Sequence, residues 1–114
     1  MTYNIAAYRS LRWKTVKPNE NDVGVVTLES YVRLTDYLVI RYIISNSPER
    51  INSFGICSDL LYTRSKHSVS SAKCEIELIT TRDQYSENDA KRICAEHYRK
   101  FLDDLLCHVE RRRN

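Results

Sequence analysis

One stretch near the end of the chain constrains everything before it: residues 86–111 read as a single long amphipathic helix. Ser86 is placed to accept a hydrogen bond from the backbone N–H of Asp89, and Asp89 to reach back to the Ser86 N–H, the reciprocal pattern of a capping box. Glu87 and Asp89 put negative charge on the first turn, where the helix dipole is positive. Ala90, Cys94, Tyr98, Phe101, Leu105 and Val109 recur at three- and four-residue steps and project from one face, with Ile93 and Leu102 widening the stripe. On the opposite face Arg92–Glu96, Glu96–Lys100, Arg99–Asp103 and Lys100–Asp104 are opposite charges four apart, each worth about 0.2–0.5 kcal/mol. Arg111, Arg112 and Arg113 supply the charge that C-terminal carbonyls favour. From Glu87 to Val109 such a helix is roughly 35 Å long and can lie across a small sheet.

The residues ahead of it read as that sheet. Residues 23–34 alternate, with Val26, Leu28, Val32 and Leu34 facing one way and Thr27, Glu29, Tyr31 and Arg33 the other. Thr35-Asp36 makes a tight connection. Residues 37–44 continue as a strand with Leu38, Ile40, Tyr42 and Ile44 inward and Tyr37 and Arg41 outward. A helix over 27–38 competes with this pairing, but the β-branched and aromatic content favours strands. Residues 45–53, with Pro48, read as a loop, 54–63 as the next strand, and 64–72 as a polar loop. Residues 73–81 alternate most cleanly, Cys74, Ile76 and Leu78 against Glu75 and Glu77. At the start, Asn4 can cap a short helix carrying Ile5, Tyr8 and Leu11, followed by an edge strand with Trp13 over 11–16 and a polar turn over 17–22.

Strands joined by short loops pair antiparallel, and a helix after the last of them covers the apolar face. The expected fold is therefore α+β: one domain over 1–114, with an antiparallel β-meander of four to five strands in 23–81, packed against the helix of 86–111. At 114 residues there is material for one core and no second domain. The net charge of +3 is matched in size by the three terminal arginines alone and does not argue for a nucleic-acid partner. The N-terminus has neither a basic segment nor an apolar run, and the stretch 38–44 is too short to cross a membrane and is broken by Arg41. The expected setting is a reducing cytoplasm, with no membrane association.

Chemistry is sparsely marked. Two glycines leave no phosphate-cradling loop, and the four cysteines at 57, 74, 94 and 107 form no C-x-x-C pair. Cys94 and His97 are three apart, but His108 lies roughly 16 Å further along the helix, too far to share a metal with them. No metal site, cofactor or catalytic constellation is expected: Cys57, Cys74 and Cys94 read as small core residues and His67 as a solvated loop side chain. The outward sheet face is more informative. Tyr31, Arg33, Tyr37 and Arg41 cluster there on neighbouring strands, and Tyr and Arg are enriched at binding hot spots. The alternative is that the tyrosines merely tile a half-wet sheet. Cys107 projects on the charged side of the helix and, with Arg111 and Arg112, marks a second candidate interface, including one between two copies of the chain.

The helix opening Ser86-Glu87-Asn88-Asp89-Ala90-Lys91, with Ala95 a turn on, resembles the last helix of small phage-encoded proteins in which a β-meander ends in a Ser-x-x-x-Ala-Lys-x-x-Ala helix. Leu11-Arg12-Trp13 extends the likeness. That resemblance implies a non-enzymatic protein of a phage or mobile element that blocks a host defence complex, a protein or ribonucleoprotein, as anti-CRISPR proteins do. The same helix is also similar to the second helix of the double-stranded-RNA-binding domain, which would imply a nucleic-acid-binding module. That family sets lysines at the start of the helix to bridge phosphates. Here Glu87, Asn88 and Asp89 stand there, only Lys91 and Arg92 are kept, and the family's Gly-Pro-x-His loop is missing, so this reading ranks second.

Overall fold

A computed structural model describes residues 11–16, 25–47, 49–63, 73–82 and 84–112, without the side chains of 73–75 and 105–112. The order of elements is β1 (Lys14–Val16), β2 (Thr27–Arg33), β3 (Leu38–Ser47), β4 (Arg50–Tyr62), β5 (Lys73–Thr80) and α1 (Glu87–Arg112). The strands form one antiparallel sheet in sequence order, β1-β2-β3-β4-β5. The chain is an α+β fold, a meander with one C-terminal helix. The helix expected over 4–11, the turn over 17–22 and the loop 64–72 lie outside the described residues, while the expected edge strand is present as β1.

The alternation read from the sequence decides which side the helix covers. Leu28, Ile44 and Ile56 stand opposite one another across β2, β3 and β4, as do Val32, Ile40 and Leu60. Directly opposed residues of antiparallel strands share a face, so these side chains form one apolar surface. Against it α1 buries Ala90, Cys94, Tyr98 and Leu102. The buried stripe passes through Leu102, whereas Phe101 is half-buried at its margin. At the N-terminus of α1 the Ser86 half of the expected cap forms, the Asp89 N–H donating to Ser86 Oγ at 3.2 Å and the Ala90 N–H to the Ser86 carbonyl at 2.9 Å, while the Asp89 carboxylate lies 3.6 Å from Arg92. Of the helix ion pairs, Arg92–Glu96 closes at 3.2 Å, joined by Glu87–Lys91 at 3.3 Å.

The polar stretch 45–53 is not the loop its composition suggests. β3 runs through to Ser47 and β4 starts at Arg50, so the strands meet in a tight hairpin. The side chain of Asn46 makes this workable. Its Oδ1 accepts the Val26 N–H at 2.6 Å and its Nδ2 donates to the Ile51 carbonyl at 2.7 Å, satisfying backbone groups where the register shifts between Asn46 and Ser47. β5, the strand with the cleanest alternation, is bulged twice. Glu77 faces Asp59 but Ile79 faces Ser58, and Ile76 faces Leu60 but Cys74 faces Leu61, which leaves Leu78 and Glu75 as the extra residues. One result is that Ile79 joins the helix side and packs on the core, whereas Ile76 is 56% exposed near the sheet edge. Beyond β5 the chain stays on β4: the Thr81 N–H donates to the Ile56 carbonyl at 2.8 Å and Phe54 and Tyr85 exchange bonds at 2.7 and 3.2 Å. That short tether delivers Ser86 to the end of β4 and turns α1 back over β3 and β4. Among the described residues no helix is long and apolar enough to cross a membrane.

Candidate functional site

The outer face of the sheet, opposite α1, is built on a row of four side chains level with one another across four strands: Tyr31, Arg41, Asp59 and Glu77. Arg41 closes on Asp59 as a two-pronged fork, Nε to Oδ1 at 2.8 Å and Nη2 to Oδ2. The Asp59 carboxylate is almost wholly buried while the Arg41 side chain keeps a partly open edge. Bonding to Asp59 holds the guanidinium protonated well beyond its already high ordinary range, against the opposing effect of burial. Tyr31 extends the row: its hydroxyl donates to Glu29 Oε2 at 3.2 Å. Burial raises its pKa above the usual tyrosine value, Arg41 pulls it back, and Glu29 adds to the rise.

A second cluster sits at the end of the sheet where β2 turns into β3. Thr35 Oγ1 accepts the N–H groups of Tyr37 at 3.2 Å and Leu38 at 3.0 Å, which fixes the turn. Arg33 Nη1 donates to the Asp36 carbonyl at 2.8 Å and to Thr63 Oγ1 at 3.3 Å. β3 lies between β2 and β4, so the Arg33 side chain must cross Val39 to reach Thr63. This helps explain why Val39 and Leu61 are 1% and 3% exposed on a face that alternation alone assigns to solvent. Tyr37 stacks on Tyr62, ring centroids 6.2 Å apart, and remains 48% exposed. Tyr31 keeps 36%.

Of the four residues singled out in the sequence, the fold brings Tyr31 and Arg41 into one row and places Arg33 and Tyr37 together at the adjoining turn. All four are held by internal partners, and the arginines serve the sheet itself. Asp59, Glu29, Thr63 and Tyr62 were not singled out. Asp59 alone left a signal, a carboxylate inside the apolar run of β4. The backbone of Cys107, Arg111 and Arg112 lies in the last turns of α1, and their side chains are outside the described residues, as is His67. Cys57 is half-buried on the outer face, level with Ile43, and so is not part of the core under the helix.

The helix side of the sheet carries a polar contact of a different kind. The hydroxyl of Tyr42, a fully buried residue, lies 2.8 Å from His97 Nδ1 on α1, and the two rings meet edge to face. Burial makes Tyr42 much harder to ionise than an ordinary tyrosine, with Cys94 and Tyr98 adding to the effect. The Ser58 hydroxyl is near enough to offset a little of this, but not at a distance and angle that make a hydrogen bond. Burial also pushes the Cys94 thiol up to about 12, so at neutral pH it is a thiol without nucleophilic character. Ser30 and Ser58, which flank Tyr42 across the strands, are buried with hydroxyl oxygens that find no hydrogen-bond partner among the described residues. Among the described residues no three His, Cys, Asp or Glu side chains come together to hold a metal ion. Comparison with protein-family models, with characterised proteins and with solved structures gives no match to this chain.

Proposed function

We propose that the chain is a non-enzymatic binding protein that docks through the outer face of its sheet and acts by covering a surface of its partner. The observation that carries this is the pair of exposed tyrosines, Tyr31 and Tyr37, set on a face braced by the Arg41–Asp59 and Arg33–Thr63 contacts. A large aromatic held in place before binding loses little conformational freedom on docking, and Tyr and Arg dominate binding hot spots. An interface of roughly 800 Å² per partner is the standard size for such docking. The helix resemblance supports the partner class: a defence complex of the host bacterium, protein or ribonucleoprotein, inhibited by steric block in the host cytoplasm by a phage or mobile-element protein of the anti-CRISPR kind.

The test separates docking from folding. Arg33 and Arg41 hold the sheet together, so their removal confounds the two. Tyr31→Ala with Tyr37→Ala removes aromatic surface and leaves the Arg41–Asp59 and Arg33–Thr63 contacts in place. Binding of the double variant to a panel of purified CRISPR effector ribonucleoproteins is compared with that of the native chain. A loss of at least about tenfold in affinity at unchanged melting temperature is expected, one hot-spot contact being worth more than 1 kcal/mol. Equal affinity excludes this face. The nucleic-acid reading predicts duplex binding that falls steeply with salt; Lys91, one of the two basic residues it relies on, pairs with Glu87 at 3.3 Å.

A further inference from the structure

Among the described residues, the interface between helix and sheet contains a hydrogen bond whose direction depends on protonation. Tyr42 Oη and His97 Nδ1 lie 2.8 Å apart, and in the neutral tautomer that carries its proton on Nε2 the phenol O–H donates and Nδ1 accepts. An imidazolium carries N–H on both nitrogens and accepts nothing. Once His97 gains a proton its Nδ1 can only donate, so the hydrogen bond must turn round: the Tyr42 oxygen accepts, the phenol proton is left to find another acceptor beside a fully buried ring, and a positive charge stands between helix and sheet.

Among the described residues nothing offers that charge compensation. From β3 the titratable group facing His97 is Tyr42 itself. The helix-side residues of β4, Phe54, Ile56, Ser58 and Leu60, carry no charge, and Asp59 lies on the opposite face, closed on Arg41. Ser30 of β2 is uncharged. On α1, Cys94 stays a thiol, Phe101 stacks on the imidazole with centroids 6.3 Å apart, and the neighbouring carboxylate of Glu96 is engaged by Arg92 at 3.2 Å. Lys100 adds repulsion to the effect of burial, and both keep His97 below the ordinary histidine value.

We propose that the Tyr42–His97 contact is a pH-sensitive latch between β3 and α1, which proton uptake by His97 opens so that the helix loosens from the sheet in mild acid. The sign follows from the direction in which His97 is displaced. Its folded midpoint lies below the unfolded value of 6.5, so the unfolded or undocked chain binds the proton more readily. The latch is fully closed above that value and is lost as pH falls through the folded midpoint. At neutral pH the contact reinforces the docking of Ala90, Cys94, Tyr98 and Leu102.

The experiment is an NMR titration of the full chain from about pH 8 to pH 5, the range in which histidine changes charge, with amide hydrogen exchange of α1 corrected for its intrinsic pH dependence. The His97 ring is expected to titrate below the usual histidine midpoint. Exchange across residues 90–102 is expected to accelerate by up to about tenfold for each pH unit between the two midpoints. His97→Gln keeps an acceptor for Tyr42 but no titrating ring, and its α1 exchange is expected to stay flat with pH. Tyr42→Phe keeps the ring and removes the donor, and its His97 midpoint is expected to rise. Exchange in native α1 that is flat over the range overturns the latch, as does His97→Gln accelerating like the native chain. Should His97→Gln fail to fold, an unchanged His97 midpoint in Tyr42→Phe overturns it equally.

Discussion

Arg41 of β3 and Asp59 of β4 stand directly opposite each other on the outer face, and their two-pronged fork adds a side-chain ion pair to the backbone ladder between these strands. Breaking it from one side leaves the other charge poorly hydrated. Asp59→Asn is expected to lower unfolding stability by about 2–4 kcal/mol, somewhat less than for a fully buried pair because Arg41 keeps 28% of its side chain open to water, where screening weakens the interaction. Replacing both, Arg41→Met with Asp59→Leu, is expected to cost much less than the sum of the single changes, since no charge is then stranded. Urea melts of the two singles and the double close that cycle. Additive losses would show that the pair contributes nothing as a pair.

The two buried hydroxyls that flank Tyr42 carry the opposite expectation. Ser30 is 2% exposed and its Oγ finds no partner among the described residues, so the folded state bears the cost of removing that group from water. Ser30→Ala deletes the hydroxyl and opens only a very small gap. The variant is expected to be as stable as the native chain or more so, by up to about 1 kcal/mol. Thermal unfolding at neutral pH reads this directly, and a drop in melting temperature would mean that the hydroxyl is bonded after all.

Why the serines escaped attention in the sequence, while the helix did not, is a matter of how far each signal reaches. The Ser86 cap and the Ala90–Cys94–Tyr98 stripe depend on residues three or four apart, so local spacing reveals them. The inward row Leu38, Ile40, Tyr42 and Ile44 is legible for the same reason. By contrast, Asn46 looks like a loop residue until its amide is seen replacing backbone partners at a bulge, a job defined by Val26 and Ile51 elsewhere in the chain. The bulges at Leu78 and Glu75 leave the alternation of β5 intact on paper and change only what each residue faces. The outer face was legible in membership and not in use. Tyr31, Arg33, Tyr37 and Arg41 do share that side, yet Arg41 finds Asp59 eighteen positions away and Arg33 finds Thr63 thirty away. Period-two reasoning gives a side chain its face; only the register names its partner.

The helix cap gives a local check that needs no knowledge of the partner. Ser86→Ala removes the acceptor of the Asp89 N–H and is expected to cost about 1 kcal/mol, whereas Ser86→Asp retains the cap and adds charge favourable to the dipole. Circular dichroism melts of the two variants should fall on opposite sides of, or at least clearly apart around, the native curve. Equal melting for all three would mean that the first turn frays in solution.

Alkaline pH probes the same helix–sheet interface from the other direction. Burial pushes Cys94 up to about 12, and it raises Tyr42 and Tyr98 as well. These groups keep their protons in the folded chain at pH values where the unfolded chain has released them. Between the ordinary thiol value of 9.0 and about 12 the unfolded state therefore binds fewer protons, and stability falls as pH rises. Melting temperature is expected to decline through that window, with a shallower slope in Cys94→Ala, where one of the groups is gone. The same burial predicts that at pH 8 a thiol reagent modifies Cys94 at least about a hundredfold more slowly than a free cysteine, with full reactivity recovered in denaturant. Because Cys94 faces the sheet beside Tyr98, rapid labelling of this one thiol in the native chain would show that α1 leaves the sheet far more often than its buried stripe allows.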